Sequence, residues 1–316
     1  MITGGAGFVG SHLVDRLIGT HEVVVLDDFS TGLESNLSQH IGRDNFRLMK
    51  GTILSESDVD RALEGVTTVY HFAAQADVRL SAQRPLWDFK VNVFGSMVLL
   101  DRVREAGIKR FLFASSGGTV YGEAESFPTP ESTALRPISN YGASKGAFEM
   151  YLSSYSELYG IDSVALRMGN IIGPRLTHGV IYDLYTKLKE DPSRLEVLGT
   201  GSQEKAYMYV GDAVEATALI AGKMSKGFRP VNLSSGQRLK VSTIAKAVVE
   251  ELYPKAQIQY TGAERAWPGD VVLTDIDITY LKSLGWTPSM DLETVVRMYV
   301  QWLRMTYGPI IERRGK

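Results

Sequence analysis

The chain has 316 residues, a formal net charge of −2, a pI near 6.2 and no cysteine. That length supports a full hydrophobic core, while the missing cysteines exclude disulfides, thiolate catalysis and zinc–thiolate sites and suit a reducing, cytoplasmic setting. Basic residues are scattered rather than striped, which argues against nucleic acid; no apolar run is long enough to span a bilayer, no signal peptide precedes the first strand, and the five histidines lack metal-ligand spacing.

The first ten residues, Met1-Ile-Thr-Gly-Gly-Ala-Gly-Phe-Val-Gly10, read as an apolar strand running into a glycine turn, after which Val9, Leu13, Val14 and Leu17 recur at helical spacing. Gly4, Gly7 and Gly10 make a GxxGxxG pattern, with Gly5 completing GxGxxG; such a turn brings backbone N–H groups and a helix N-terminus up to a pyrophosphate. A second strand over 22–27 ends on Asp27, about 20 residues past the turn, where a carboxylate holds both hydroxyls of an adenosine ribose. Asp27 would repel a 2′-phosphate and residues 29–33 offer no Arg or Lys to neutralise one, so the expected cofactor is NAD rather than NADP.

Further along, 45–50 reads as a third strand, Ser55 opens a helix in capping-box fashion with Asp58, and Gly65 closes it. A fourth strand over 68–73 leads into a small-residue loop over 73–77, a long helix is predicted from Pro85 to Ala106, and 110–115 is the fifth strand. Strands alternating with helices in this rhythm predict an α/β, Rossmann-type doubly wound parallel sheet with ligands at the carboxyl ends of its strands. Residues 1–167 are expected to form a dinucleotide-binding domain. Residues 168–316 are expected to form mainly a smaller α/β substrate lobe, with parts of 207–235 packing back onto the first. There, 195–199 and 207–210 are strand candidates, and helices are predicted over 212–224, from a cap at Ser242 to Tyr253, and over 292–305.

The chemistry concentrates after the fifth strand. Residues 115–121, Ser-Ser-Gly-Gly-Thr-Val-Tyr, leave that strand, and a helix opens at Tyr141-Gly-Ala-Ser-Lys145 and runs to about Tyr159. Tyr141 and Lys145 are four apart, hence on one helix face. A free phenol is a poor base at neutral pH, but a nearby ammonium and a cationic nicotinamide favour the phenolate, so Lys145 is expected to tune and Tyr141 to transfer protons.

At this point the chain resembles the extended short-chain dehydrogenase/reductases of the NAD-dependent nucleotide-sugar epimerase/dehydratase family, on the side of the UDP-glucose 4-epimerases. The resemblance runs from Thr3 almost to the C-terminus and rests on TGGAGFVG, the VVVLDD strand end, HFAAQADV, the Asn92-bearing helix, SSGGTVYG, YGASK, RMGNIIGP, YMYVGDAVEA and WPGD. It implies that Phe8 and Val9 lie on the pyrophosphate, Asp27 with Asp28 on the ribose, Ala73 and Ala74 along the cofactor and Lys145 on the nicotinamide ribose. Thr52, Ile53, Phe72, Gln75, Asn92 and Ser115 complete the cofactor-facing set, and Asn170, Lys205 and Arg265 meet the nucleotide-sugar. It further implies a homodimer in which helices near 85–106 and 141–159 pair across a two-fold.

Several departures bear on the reaction. The family usually carries Ser or Thr at the place of Gly117, so the hydroxyl between tyrosine and sugar falls to Ser116 or Thr119, or to neither. Thr52 stands where an Asp commonly meets the adenine, Lys205 replaces a common Arg, and Trp267 stands where an Arg often precedes PGD, with Arg265 two residues away. The related dehydratases and decarboxylases carry an acid in the segment occupied by Gly118 and Thr119. The expectation is therefore C4 epimerisation of a nucleotide-sugar, UDP-glucose and UDP-galactose first. The alternatives are a dehydratase, decarboxylase or UDP-glucuronate epimerase of the same family, and a non-catalytic NAD sensor.

Overall fold

The structure, a computed structural model, describes residues 1–262 and 271–308. Its first half alternates β1 (Ile2–Thr3), α1 (Phe8–Leu17), β2 (Val23–Asp27), β3 (Phe46–Lys50), α2 (Glu56–Leu63) and β4 (Thr68–His71). There follow α3 (Val78–Gln83), α4 (Pro85–Phe89), a π-turn over Lys90–Gly95, α5 (Ser96–Glu105), β5 (Arg110–Ser116), α6 (Asn140–Tyr159) and β6 (Asp162–Met168). The second half holds β7 (Asn170–Ile172), α7 (Val180–Glu190), β8 (Arg194–Val197), β9 (Glu204–Tyr209), α8 (Val210–Gly222) and β10 (Phe228–Leu233). It closes with β11 (Gln237–Lys240), α9 (Val241–Leu252), β12 (Gln257–Tyr260), α10 (Thr279–Ser283) and α11 (Leu292–Tyr307).

Seven strands form one sheet in the order β10-β6-β5-β4-β1-β2-β3, and every pairing in it is parallel. Strand order reverses between β1 and β4, which opens a crevice at their carboxyl ends. β1 contributes only two residues, yet both are clamped, Ile2 beside Val25 and Tyr70, Thr3 beside Leu26 and His71. Apolar faces of α1 on one side and of α2, α5 and α6 on the other bury the sheet; Leu13, Val14, Leu99, Phe111, Phe148 and Leu152 are fully enclosed.

Helix starts follow side-chain caps where the sequence supplies them. Ser55 accepts from Asp58 N at 3.3 Å, Asp77 from Arg79 N and Leu80 N, Ser139 from Gly142 N and Asp291 from Thr294 N. Other helices start without a side-chain cap, among them α1, where Gly7 stands at the N-cap, and α9, whose N-cap is Lys240 rather than the expected Ser242, which lies inside the helix.

The predicted helix over 85–106 is continuous but carries a π-turn, and the loop after residue 77 holds a short helix, α3, that composition did not reveal. β10 escapes sequence reading because Pro230 and Arg229 break its pattern; as an edge strand it tolerates a proline that a central strand would reject. α8 packs on α1, with Arg16 and Glu215 paired at 2.6 Å, so β10 and α8 are fastened to the large sheet. β7, β9 and β11 make a three-stranded sheet and β8 and β12 a pair, both backed by the cluster of α7, α9 and α11 around Tyr299.

Candidate active site

Glycines shape the crevice at the β1/β4 switch. Gly4 has φ +68°, and a Cβ there would sit 2.6 Å from Ala73 N, so the turn after β1 can approach the end of β4 only without a side chain. A Cβ on Gly10 would run into the Gly4 carbonyl, with the Gly5 Cα at 2.9 Å. Asp27 is buried, its Oδ2 accepting from Ala6 N at 2.8 Å and its Oδ1 from Phe29 N at 2.9 Å. Burial raises its pKa against the lowering pull of those two donors. Each oxygen keeps further acceptor capacity, which is what a pair of ribose hydroxyls requires. Asp28 is exposed and accepts from Ser30 N, closing its own turn.

Beneath this cradle runs a buried polar chain that sequence reading missed. Ala73 N donates to Thr3 Oγ1 at 3.2 Å, Thr3 lies 2.7 Å from His71 Nδ1, His71 Nε2 lies 2.8 Å from Ser96 Oγ, and Ser96 donates to the Asn92 carbonyl at 2.7 Å. Because Ser96 gives its proton to Asn92, it accepts from His71 Nε2–H, leaving Nδ1 to accept from Thr3. His71 is fully buried, and desolvation, with Lys145 second, drives its pKa down to about 3. The ring is a neutral strut.

The π-turn explains where Asn92 goes. Asn92 Nδ2 donates to the Gln75 carbonyl at 2.9 Å and to Asp88 Oδ1 at 3.0 Å, while its Oδ1 accepts from Gln75 N at 2.9 Å. Asn92 thus holds the 73–77 loop in place. Gln75 likewise turns inward, its amide donating to Asp88 at 3.0 Å. Both side chains thereby support the loop that carries Ala73 and Ala74.

Tyr141 and Lys145 stand one turn apart on α6, the Lys145 Nζ 5.6 Å from the Tyr141 ring centroid. Lys145 is buried over the Phe113 ring and donates to the Ala114 carbonyl at 2.8 Å. Tyr141 is half-buried and its hydroxyl makes no hydrogen bond among the described residues. The protein's own groups do not depress this phenol: burial, then Asp88, pushes its pKa above the ordinary value. Desolvation pulls Lys145 down to about 8, against the raising effect of Asp88 and Glu149. The protein alone therefore favours the neutral phenol, and the expected lowering rests on the cationic nicotinamide joining Lys145.

At the end of β5, the Ser115 hydroxyl donates to Glu149, which is fully buried and paired with Arg167 at 2.7 Å. Ser115 is thus tied to that ion pair. Gly117 has no room for a side chain, since a Cβ would lie 2.8 Å from the Arg167 carbonyl and 2.9 Å from Ile276 Cδ1. Of the two remaining hydroxyls, Thr119 Oγ1 is enclosed without a partner, whereas Ser116 is half-buried and makes no side-chain bond among the described residues.

Ile53 is buried in the cluster around α2 and α5, whereas Phe8, Val9 and Phe72 are partly buried against other apolar clusters. Thr52 N donates to Asp58 Oδ2 at 3.1 Å, and Asp58 in turn pairs with Arg61. Across the crevice, Asn170 is exposed, with its amide donating to the Ala206 carbonyl at 3.2 Å, and Lys205 donates to the Val271 carbonyl. Arg265 and the WPGD segment lie outside the described residues.

Residues 1–234 match the model of the NAD dependent epimerase/dehydratase family. The chain belongs to that family. It is 32% identical over 314 residues to a putative UDP-glucose 4-epimerase of Methanocaldococcus jannaschii, covering 96% of this chain and 98% of that one. Its fold is similar to the UDP-glucose 4-epimerase of Thermus thermophilus in complex with NAD, at TM-score 0.86 and 33% identity over 96% and 98% of the two chains. It is equally similar to the dTDP-glucose 4,6-dehydratase DesIV of Streptomyces venezuelae, solved with NAD bound, at TM-score 0.88 and 27% identity over 96% of each chain. NAD is the cofactor of this epimerase/dehydratase chain, and the crevice fits it: the switch point is shaped by Gly4 and Gly10, and a buried carboxylate with acceptor capacity waits at the end of β2. No helix among the described residues is long and apolar enough to cross a membrane, and no group of three His, Asp or Glu among them could hold a metal ion.

Proposed function

We propose that the protein inverts C4 of a nucleotide-sugar, with UDP-glucose and UDP-galactose as the first substrates to test. The observation that carries this reading is an unbonded Tyr141 hydroxyl one helical turn from Lys145, beside a loop whose Gly118 and Thr119 bring no carboxylate. Fold likeness does not separate epimerase from dehydratase, since both kinds of relative superpose equally well. The missing acid supports the epimerase reading, because dehydration needs a base to remove the proton beside the keto group.

NAD, when bound, supplies the acceptor for the C4 hydride and returns it. Tyr141, as phenolate, takes the proton of the C4 hydroxyl and later gives it back to the inverted oxygen. Its base form requires cationic neighbours, because burial alone favours the neutral phenol. Ser116 orients the reacting oxygen in place of the side chain that Gly117 cannot carry, and Asp27 holds the adenosine ribose. Asn170 and Lys205, with Arg265, take the nucleotide diphosphate; an ammonium neutralises it without the bidentate fork of a guanidinium.

Two further readings accompany this one. The exposed apolar residues Leu86, Phe89 and Phe94 beside Met150, Tyr151 and Leu158 of α6 support pairing of these helices between two copies, which light scattering tests. A chain of 316 residues without cysteine accords with a reducing cytoplasm.

The decisive experiment is turnover of UDP-glucose in deuterated water. The C4 hydrogen never meets solvent in this mechanism, so the epimer is expected to carry no deuterium at C4 or C5. Stoichiometric deuterium at C5, or a 4-keto-6-deoxy sugar as main product, would make the protein a dehydratase. Tyr141→Phe is expected to keep fold and cofactor while losing roughly 100-fold or more in turnover.

A further inference from the structure

Asp88 was not singled out by its sequence context, yet it is 1% exposed and sits at the junction of three elements of the site. Its Oδ1 accepts from Gln75 Nε2 and Asn92 Nδ2, both at 3.0 Å, and its Oδ2 accepts from Ser144 Oγ at 2.5 Å. All three partners are neutral donors, and no Arg or Lys among the described residues pairs with it. The other buried carboxylate of this region, Glu149, is matched by Arg167. A buried carboxylate without a cation is costly, and stability alone gives no reason to keep one.

We propose that Asp88 is the positioning residue of the Tyr141–Lys145 pair: it ties α6, through Ser144, to the loop that carries Ala73 and Ala74, and serves as the fixed counter-charge of the Lys145 ammonium. The inference rests on the reading of Tyr141 and Lys145 as the reacting pair. The groups facing Lys145 are few: Asp88 on α4, Glu149 one turn on along α6 and already held by Arg167, the Tyr141 ring, and His71 on β4, which is neutral. Asp88 is thus the negative charge near Lys145 that no cation has claimed. Its field raises the pKa of both Lys145 and Tyr141, opposing for Lys145 the loss of solvation.

The chemistry of Ser144 lets charge and geometry be separated. In Asp88→Asn the amide oxygen can still accept from Gln75 and Asn92, and the amide nitrogen can donate to the Ser144 hydroxyl, which accepts as well as donates. All three bonds survive and only the charge goes. The titration of the Lys145 13Cε resonance, assigned by its loss in Lys145→Met and read without turnover, is expected to move down by about one pH unit. The kcat–pH profile is expected to move the same way, with unfolding temperature close to that of the parent. A folded Asp88→Asn whose Lys145 titrates as in the parent, or whose activity falls equally at every pH, would overturn the counter-charge role.

Ser144→Ala tests the tether independently, including the case in which Asp88→Asn does not fold. It leaves the charge in place, so Lys145 is expected to titrate as before while kcat falls about ten-fold at unchanged KM. Parental kcat in Ser144→Ala would overturn the tether. Parental turnover in Tyr141→Phe would instead remove the underlying reading and leave the Lys145 titration result standing.

Discussion

The cofactor face of the crevice and the substrate face are held in different ways. On the cofactor face, Asp27, Thr3, His71, Ser96 and Asn92 are buried and bonded to one another or to backbone, so their geometry is set before any ligand arrives. On the substrate face, Asn170 is exposed and donates to a backbone carbonyl, as Lys205 does, on strands of a small three-stranded sheet. Preorganisation suits a cofactor that is the same in every turnover, because ordering costs are met during folding. An open, lightly bonded face can be altered from one relative to another without disturbing the core, in keeping with relatives that act on different nucleotide-sugars.

The sharpest way to break the comparison is Gly10→Ala. Its methyl would meet the Gly4 carbonyl and the Gly5 Cα, backbone atoms that cannot rotate away, so a stability loss of about 3 kcal/mol and abolished NAD retention are expected. Denaturant unfolding and the 260/280 nm absorbance ratio of the purified protein measure both. Normal NAD retention in a stable variant would mean that the cofactor face is looser than its packing implies.

Acid should weaken the cofactor face next. His71 titrates near 3 when folded against 6.5 when unfolded, so protons bind the unfolded chain more tightly. The stability it contributes is complete above pH 6.5 and is lost as pH falls toward 3. Between pH 7 and 5 the loss from this residue is about 2 kcal/mol. Urea unfolding at the two pH values, compared with His71→Gln, isolates it; an identical pH slope in the variant would show that the ring does not carry the effect.

The substrate face should yield the smallest and cleanest change. Asn170→Ala removes one exposed amide, so NAD content and unfolding are expected to stay as they were while KM for the nucleotide-sugar rises about five-fold, the scale of one lost hydrogen bond of about 1 kcal/mol. A drop in stability comparable to that of Gly10→Ala would erase the distinction between the two faces.

Much of the cofactor face was legible in the chain because its signals are local. The glycine spacing, the acid at the end of β2 and the Tyr141/Lys145 interval each lie within one element, where residue type and period dictate backbone form directly. The strand–helix rhythm likewise specified the parallel sheet, and the matched family model and the superposed epimerases agree with it. The remainder depended on partners distant in sequence. His71 meets residues 68 positions before it and 25 after, Asp88 meets Ser144 across 56 residues, and the space at Gly117 is taken by Arg167 and Ile276. The sequence alone could say that a phenol and an ammonium share a helix face. Only the tertiary structure could decide what burial does to them, since desolvation and the field of a remote carboxylate come from how separate elements pack.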